Sequence, residues 1–279
     1  MKKKRNVLKR ALDYIHIRKL RNYRPGISLQ IDKQDYIIKT AENGIELQAA
    51  LTLRYEIFIR ELLQKTKWLR IDFDRFDLKS DHLLIIRKST GMIIGTYRMN
   101  STLFSRKFYS ATEFDIREIL RLPGNKLEID RACVHQDFRN GRIIAYLLEG
   151  IIEYAKQSDS GLIFGCSSIR TMDKANIRNI CEYLAVQGHI ANLKSVVPKR
   201  RFRIRGLNNA SIHPVHDVTV RYDDNDIKDK IPTLIYAYLK AGAKLCPIPA
   251  LDKRFRCVDF MTVLDVKQLS ASMKKITNN

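Results

Sequence analysis

The stretch between residues 126 and 168 constrains the fold most, because two apolar strands flank one apolar helix. Strands are predicted at 127–134 and 162–168, and residues 141–157 between them carry apolar side chains at helical spacing. A strand, a helix and a strand in this order predict a parallel strand pair joined by a right-handed crossover. The chain therefore contains at least one parallel unit.

Further elements surround this unit. A Ser-Thr-Gly turn joins strands predicted at 82–87 and 92–99, which indicates an antiparallel hairpin because glycine accepts a positive φ. The other predicted elements are a strand at 36–40, helices at 45–63, 112–120, 173–186 and 231–241, a strand within 215–222 and a final strand at 256–266. This order predicts an α/β fold with a mixed, mostly antiparallel central sheet, a parallel core and helices on both faces.

Charge is the strongest signal in the composition. The 279 residues carry a formal net charge of +21, which predicts an acidic partner such as nucleic acid, an anionic membrane or an acidic protein. Residues 1–30 hold ten Lys or Arg against one acid, Asp13. We assign 1–34 to a basic N-terminal extension that contains an amphipathic helix around 6–21, and 35–279 to the folded domain.

The composition also argues against several classes of protein. A hydrophobic content of 45% excludes wholesale disorder, and no apolar run approaches the roughly 20 residues needed to span a bilayer. The N-terminus lacks the apolar stretch of a secretory signal. The five cysteines form no CxxC pair and the six histidines show no metal spacing. We therefore expect reduced thiols, no metal and a cytoplasmic location.

Candidate chemistry for acyl transfer lies between residues 128 and 143. Formation of an amide from a thioester needs a base for the amine and a donor for the developing oxyanion. Glu128 lies inside a strand, and the following helix begins with Arg139 and Arg142 on either side of Gly141. Such a helix start suits the phosphate of a carrier arm. On the residues alone, a solvated Glu128 and an ordinary strand-to-helix turn remain open.

Strict alternation along this strand creates a conflict. It places Glu128, Asp130 and Ala132 on one face and directs Arg131 into the apolar side. A β-bulge near Arg131 would remove the conflict by re-aiming the side chains, and bulges are frequent near active sites.

Several separated motifs give the chain a resemblance to a known family. They are Glu128-x-x-Arg131, Cys133-Val134-His135, Phe138-Arg139-x-Gly141-Arg142, Phe164-Gly165-Cys166-Ser167-Ser168, a helix motif over 231–243, and Pro249-Ala250-x-Asp252-x-x-Phe255-x-x-x-Asp259-Phe260. These motifs resemble those of the N-acyltransferases that make lyso-ornithine lipid, a group within the GNAT superfamily often labelled as hemolysins. A second set, Arg54-x-x-x-Phe58, Asp74-x-x-Asp77 and Gly95-x-x-Arg98, resembles the related acyl-homoserine-lactone synthases. The resemblance covers about 40–266.

The resemblance implies a GNAT fold and transfer of a fatty, 3-hydroxylated acyl chain from acyl carrier protein to the amine of an amino acid. No tightly bound cofactor is implied, because the phosphopantetheine arm of the carrier, or a coenzyme A thioester, delivers the acyl group. Glu128 would act as general base, backbone N–H groups of Cys133 and Val134 would polarise the carbonyl, and Tyr183 would protonate the leaving thiolate. The pantetheine phosphate would lie at Arg139, Asn140, Gly141, Arg142 and Ile143.

An acceptor site is implied as well. The residues that match the charged network of the lactone synthases are Arg54, Asp74, Asp77, Arg98 and Arg131. An arginine of this set could pair with the carboxylate of an amino acid. Two alternatives remain open. The ion network could serve only to order the first helix and loop, and Tyr183 could be a packed residue without a role in catalysis. Asp130 departs from the small or hydroxylated residue expected there, which leaves the acceptor open among ornithine, glycine and other amines.

The acidic carrier protein and an anionic membrane surface would together explain the basic charge. We expect a cytoplasmic enzyme that attaches peripherally to the inner face of the membrane through residues 1–24. Two other functions remain open, namely an autoinducer synthase of the lactone type and a basic nucleic-acid-binding protein. The second leaves the segment around Glu128 and the C-terminal motifs unexplained, so no nucleic-acid partner is expected.

Overall fold

A computed structural model describes residues 18–207, 224–269 and 271 of the chain. These residues fall into two compact units. Unit 1 comprises the chain up to residue 100 together with 130–158, and unit 2 comprises 101–129 together with the chain from 159 onward. The strand predicted within 215–222 lies outside the described residues. The predicted N-terminal helix lies outside them up to residue 17.

Nine strands and six α-helices lie wholly within the described residues. The strands are β1 Gln30–Asp32, β2 Tyr36–Thr40, β3 Asp81–Arg87, β4 Met92–Ser101, β5 Asn125–Val134, β6 Ser160–Ile169, β7 Lys244–Leu245, β8 Ala250–Asp252 and β9 Cys257–Asp265. The helices are α1 Gly44–Arg54, α2 Arg117–Arg121, α3 Gly141–Gln157, α4 Lys174–Val186, α5 Asp224–Lys230 and α6 Thr233–Lys240. The predicted mixed α/β fold with mostly antiparallel strands is confirmed. No helix in the described ranges is both long and apolar enough to cross a membrane.

Unit 1 is built on an antiparallel meander of β1 to β4, each strand pairing with the next. The predicted hairpin is therefore confirmed as β3 and β4. Helix α3 lies against β2 and β3, and its Gly150 permits a close approach. A methyl group at Gly150 would lie 2.8 Å from the Leu83 side chain and 2.9 Å from that of Ile38. A larger residue would push the helix away from the strands.

The first predicted helix is not regular over its whole length. Helix α1 ends at Arg54, and a π-helical segment follows over Tyr55–Glu61. In this wider segment the Leu62 N–H donates to the Ile57 carbonyl at 3.0 Å. Such insertions are rare and frequently occur at functional sites. The apolar spacing alone predicts helix here but cannot distinguish the two hydrogen-bond patterns.

Part of the predicted extension belongs to unit 1. Leu20 and Tyr23 are buried, and strand β1 pairs with β2. The N–H groups of Gly26 and Ile27 donate to the buried Asp81 carboxylate at 2.8 and 2.9 Å. Residues 20–32 therefore pack against the strands in spite of their basic composition.

Unit 2 contains the parallel pair that the sequence predicts. The first half of β5 pairs with β6 in parallel, from Asn125↔Ser160 to Glu128↔Phe164. Strand β9 pairs antiparallel with β6, β7 and β8. Two apolar clusters fill this unit, one around Phe164 and Met261 and the other around Val258 and Phe260.

The helix predicted at 112–120 is wrong over most of its length. A 3-10 turn covers Ser110–Thr112, and α2 begins only at Arg117. Between them the backbone is drawn into bridge pairing, because the Asp115 N–H donates to the Val197 carbonyl at 2.9 Å. Local apolar spacing indicates a helix, and the tertiary pairing overrides it.

Candidate functional site

Glu128 lies within unit 2 and is only 2% exposed. Its Oε2 accepts the N–H of Tyr109 at 2.9 Å, and its Oε1 accepts the N–H of Ser110 at 2.7 Å. The carboxylate is thus buried and anchors a neighbouring loop, which excludes the solvated alternative. Each oxygen has a second lone pair, so both bonds can persist while the carboxylate accepts a proton.

Strand pairing places Glu128 on a face of unit 2 with other reactive groups. Glu128 is in register with Phe164, and Cys166 and Ser168 follow on the same face because side chains alternate. Ser168 is in register with Asp259 of β9. Ser168 is exposed and Cys166 is half-buried, so this face adjoins solvent at one end.

The segment from residue 108 to 113 lies against this face. The Phe108 and Phe164 rings meet edge to face with centroids 5.5 Å apart. The Cys166 thiol is 3.8 Å from the Ser110 hydroxyl. Burial, followed by the charges of nearby carboxylates, raises the pKa of the Cys166 thiol. A neutral thiol of this kind does not serve as a nucleophile.

Three buried carboxylates meet beside this loop. The side-chain oxygens of Glu113, Asp252 and Asp259 lie within 4.8 Å of one another. This is the only group in the described parts of the chain with the donor set and spacing of a cation site. The residue types and distances would suit a hard cation as well as an ammonium group.

Each member of the cluster is held in place. Asp252 accepts the N–H groups of Arg254 and Phe255 at 2.6 and 3.1 Å. Asp259 accepts the Ser168 hydroxyl. Burial, then the charge of Asp259, raises the pKa of Glu113 to about 8. Burial raises the pKa of Asp259 as well.

The residue pattern did not predict this cluster as a site. Asp252 and Asp259 belong to the C-terminal motif that carries the resemblance, so the sequence marked both residues, but it indicated no chemical role for them. Glu113 lay in a predicted helix and carried no signal, because its partners are more than a hundred residues away in the chain.

Gly165 allows β6 to approach β5 closely. A methyl group at this position would lie 2.1 Å from the Ile129 carbonyl oxygen. Any side chain would therefore force the strands apart immediately after Glu128 and Phe164, where their pairing sets the position of the carboxylate.

The helix start predicted to hold the phosphate lies in unit 1. Asn140 caps α3, and its Oδ1 accepts the N–H of Ile143 at 3.2 Å. A Cβ on Gly141 would meet open space. Arg139 forms a double hydrogen bond to Glu61 at 2.7 and 2.6 Å. The Ile143 side chain is buried, so only its backbone can face a ligand.

The predicted acceptor residues form one buried ion network in unit 1. Its arginines are Arg54, Arg98 and Arg131, and its carboxylates are Asp72, Asp74, Asp77 and Asp130. Asp72 and Asp130 were not predicted as members. Lys67 also pairs with Asp72, so four basic groups face four carboxylates and leave no net positive charge for an incoming carboxylate. The neighbouring arginines hold the pKa of Asp72 and Asp77 below the usual range.

The unexpected Asp130 is explained by this network. Its two oxygens accept the Nε and Nη2 groups of Arg98, both at 2.7 Å. Arg131 reaches Asp74, which Arg98 also binds. In a regular strand, consecutive side chains point to opposite faces, so Asp130 and Arg131 could not both reach the same network. The irregularity lies at Arg131, whose φ is 56°, a left-handed conformation that costs about 1–2 kcal/mol.

The remaining predicted residues lie in other surroundings. Cys133 is buried in unit 1, 3.8 Å from the Leu53 carbonyl, and burial raises its pKa to about 12. The carbonyl of neighbouring Val134 accepts Nε of Arg139 at 3.3 Å. Tyr183 packs in the cluster that holds Phe260, on the opposite face of β9 from Asp259. Its role as an acid stays a prediction.

Comparison with known proteins shows what this chain is similar to. Residues 53–149 match the family model described as the acetyltransferase (GNAT) domain. That range contains the end of α1, Glu128 and the start of α3. The mixed sheet with its parallel pair is a GNAT-like fold, in agreement with this match.

Curated relatives give a more specific similarity than the family model. The chain is 28% identical over 247 residues to the L-ornithine N(alpha)-acyltransferase of Agrobacterium fabrum, covering 83% of this chain and 81% of that protein. It is 25% identical over 259 residues to the protein of that name from Brucella abortus, covering 84% and 85%. A third such relative, from Rhodobacter capsulatus, is 26% identical over 248 residues and covers 84% and 92%. The chain is therefore similar to these N-acyltransferases over more than four fifths of its length.

Solved structures resemble the chain more distantly. The acyl-homoserine-lactone synthase LasI superposes with a TM-score of 0.47 at 11% identity, covering 88% of this chain and 95% of that one. The coenzyme A-dependent lactone synthase BjaI gives a TM-score of 0.45 at 13% identity, covering 83% and 82%.

Proposed function

We propose that this protein transfers a fatty acyl chain from the thioester of acyl carrier protein to the α-amino group of ornithine. The observation that carries the proposal is the similarity to L-ornithine N(alpha)-acyltransferases over more than four fifths of the chain. A 3-hydroxylated chain is part of the proposal. The product would be a single-chain aminolipid.

Glu128 is the proposed general base. The amine nitrogen forms a bond to the thioester carbonyl carbon, and the bond from that carbon to sulfur breaks. The amine proton passes to Glu128, directly or through a water, and the leaving thiolate takes up a proton from the proposed acid Tyr183, which regains one from solvent. Support comes from the burial of the carboxylate and from the two N–H groups that fix it. A positioned base of this kind contributes about 10²–10⁴-fold.

The start of α3 is the proposed binding site for the phosphate of the carrier arm. The Asn140 cap orders the first turn, and the space over Gly141 would let a phosphate approach the backbone. Arg142 adds a positive charge at this point. The pantetheine arm of acyl carrier protein is the proposed donor group, with a coenzyme A thioester as a poorer substitute.

The partners of the protein follow from its charge. An acidic carrier protein would be attracted by a chain of net charge +21. Residues 1–24 are proposed to hold the enzyme at an anionic membrane surface, where the product partitions, each basic residue contributing about 1 kcal/mol near the surface. We propose a location at the inner face of the membrane.

A panel of amino acids tests the proposed reaction. Purified protein is incubated with 3-hydroxyacyl carrier protein and each amino acid in turn, and free carrier thiol and product mass are measured. We expect thiol release and an acylated product with ornithine. Acylation of no amino acid in the panel would contradict the proposal.

The Glu128→Gln variant tests the base. We expect kcat to fall by about 10²–10³-fold with KM for the acyl donor little changed. The matched control is Glu42→Gln, since Glu42 is exposed. Full activity of Glu128→Gln, at an unchanged melting temperature, would rule out the base.

A further inference from the structure

The carboxylate cluster of Glu113, Asp252 and Asp259 is not used by the acyl transfer just described. We infer that it is the subsite for the side-chain ammonium of the acceptor, so that the enzyme selects a diamino acid. This inference rests on the proposed function and adds a specificity site to it. Three observations in unit 2 carry it.

The first observation is an unsatisfied oxygen. Glu113 is 2% exposed, and its Oε2 meets no N–H or hydroxyl donor among the described residues. The hydrogen bond between the Glu113 and Asp259 carboxyls forms only when the two groups share a proton. A buried acceptor without a donor is unfavourable, and native structures rarely leave one unless a ligand or water completes it. An ammonium group offers three N–H donors and could supply the missing one.

The second observation is the electrostatic surroundings. The neighbours with the strongest effects on the pKa values of Glu113 and Asp259 are each other, Asp252 and the neutral side chains of Tyr109, Ser168 and Cys257. Three carboxylates with such neighbours repel each other in a site of low dielectric. A bound cation would relieve this repulsion and replace the proton that Glu113 otherwise holds at neutral pH.

The third observation is the position of the cluster relative to Glu128. Both lie on one face of unit 2, and the segment from residue 109 to 113 joins them. Along this face of β6, Cys166 lies between Phe164, which is in register with Glu128, and Ser168, which is in register with Asp259. One short molecule could therefore place an amine at Glu128 and a second one at the cluster.

An alkylammonium suits this site better than a metal ion. The same face carries Phe164, Met261 and Ala250, which are apolar and buried. They match the methylene chain of a diamino acid, whereas Mg²⁺ retains several waters and Ca²⁺ takes six to eight oxygen ligands. Ser168, whose hydroxyl donates to Asp259, is exposed, so the cluster adjoins solvent at this end.

The test compares ornithine with norvaline, which has the same carbon chain but no terminal ammonium. We expect the wild-type kcat/KM to favour ornithine by about 100-fold or more, because a site built for a charged donor rejects an analogue that lacks it. In Asp259→Asn we expect this preference to fall by at least about tenfold. The norvaline rate of the same variant should stay within about threefold of wild type.

The norvaline rate is an internal control for folding. If Asp259→Asn lowers the rates for ornithine and norvaline equally, the cluster is structural and the inference fails. The matched control is Asp265→Asn, an exposed aspartate at the end of β9, which should keep the wild-type preference. Glu113→Gln provides a second variant with the same expected loss of preference.

The remaining outcomes separate this inference from the proposed function. If wild-type enzyme acylates ornithine and norvaline equally well, only the ammonium subsite is wrong. If it acylates no amino acid, the proposed function is wrong. Loss of activity in EDTA with recovery on adding Mg²⁺ or Ca²⁺ would assign the cluster to a metal and overturn the ammonium subsite.

Discussion

Two buried glutamates in unit 2 have opposite surroundings. Glu128 accepts two backbone N–H groups, whereas Glu113 faces carboxylates that, with burial, raise its pKa to about 8. Environments that differ in this way assign different roles to chemically identical groups. The surroundings of Glu128 suit a base at the reacting amine, and those of Glu113 suit a group that binds a cation.

The arginines of the ion network in unit 1 are occupied by carboxylates. Arg98 contacts Asp74 and Asp77, and it binds Asp130 through two hydrogen bonds. Arg54 binds Asp72 and Asp77 in the same buried region. The alternative that the network orders the first helix and its loop is therefore favoured over recognition of a substrate carboxylate.

Removal of Arg98 should be strongly destabilising. Arg98→Met would leave Asp77 and Asp130 buried without this partner, and we expect the free energy of unfolding to fall by about 3–5 kcal/mol. Denaturant unfolding measures this change. The control is Arg117→Met, whose ion pair with Asp115 is exposed and should be worth less than about 1 kcal/mol. Equal, small effects at both positions would contradict a structural network.

At the scale of elements, α3 and β5 show what periodicity can predict. The bounds predicted for α3, Gly141–Gln157, are confirmed, because one apolar stripe faces the strands and Asn140 caps the start. The strand β5 is confirmed, but the left-handed turn at Arg131 could only be suspected from the facing conflict. Its cause is the ion network, which lies far away in the sequence.

Gly165 gives an element-scale test of the pairing between β5 and β6. The Gly165→Ala methyl group would collide with the Ile129 carbonyl oxygen. We expect a loss of about 1–3 kcal/mol in stability, since backbone must move. Acyl transfer should also fall, because the strand that carries Glu128 is displaced. Thermal unfolding and the thiol-release assay measure the two effects.

The same strand supplies the control for this substitution. A methyl group at Gly161 would meet no atom within 4 Å, so Gly161→Ala should leave stability within about 0.5 kcal/mol and activity unchanged. If Gly165→Ala behaves like Gly161→Ala, the close approach of the strands is not needed for the site.

At the scale of the whole molecule, net charge makes a prediction about the donor. The kcat/KM for acyl carrier protein should fall by about tenfold or more when salt is raised from about 0.05 to 0.5 M, because screening weakens long-range attraction. The same acyl group on coenzyme A should show a smaller decrease. Identical salt dependence for both donors would contradict carrier-protein binding as the reason for the charge.

The sequence by itself determined the fold class, the bounds of most helices and strands, and Glu128 as the candidate base. These depend on local spacing of apolar residues and on motifs whose members are close together in the chain. Only the tertiary structure decided that the predicted acceptor arginines are already paired, and that Glu113 joins Asp252 and Asp259. Charged groups acquire their roles from neighbours brought together by strand pairing, and the sequence holds no local record of those neighbours.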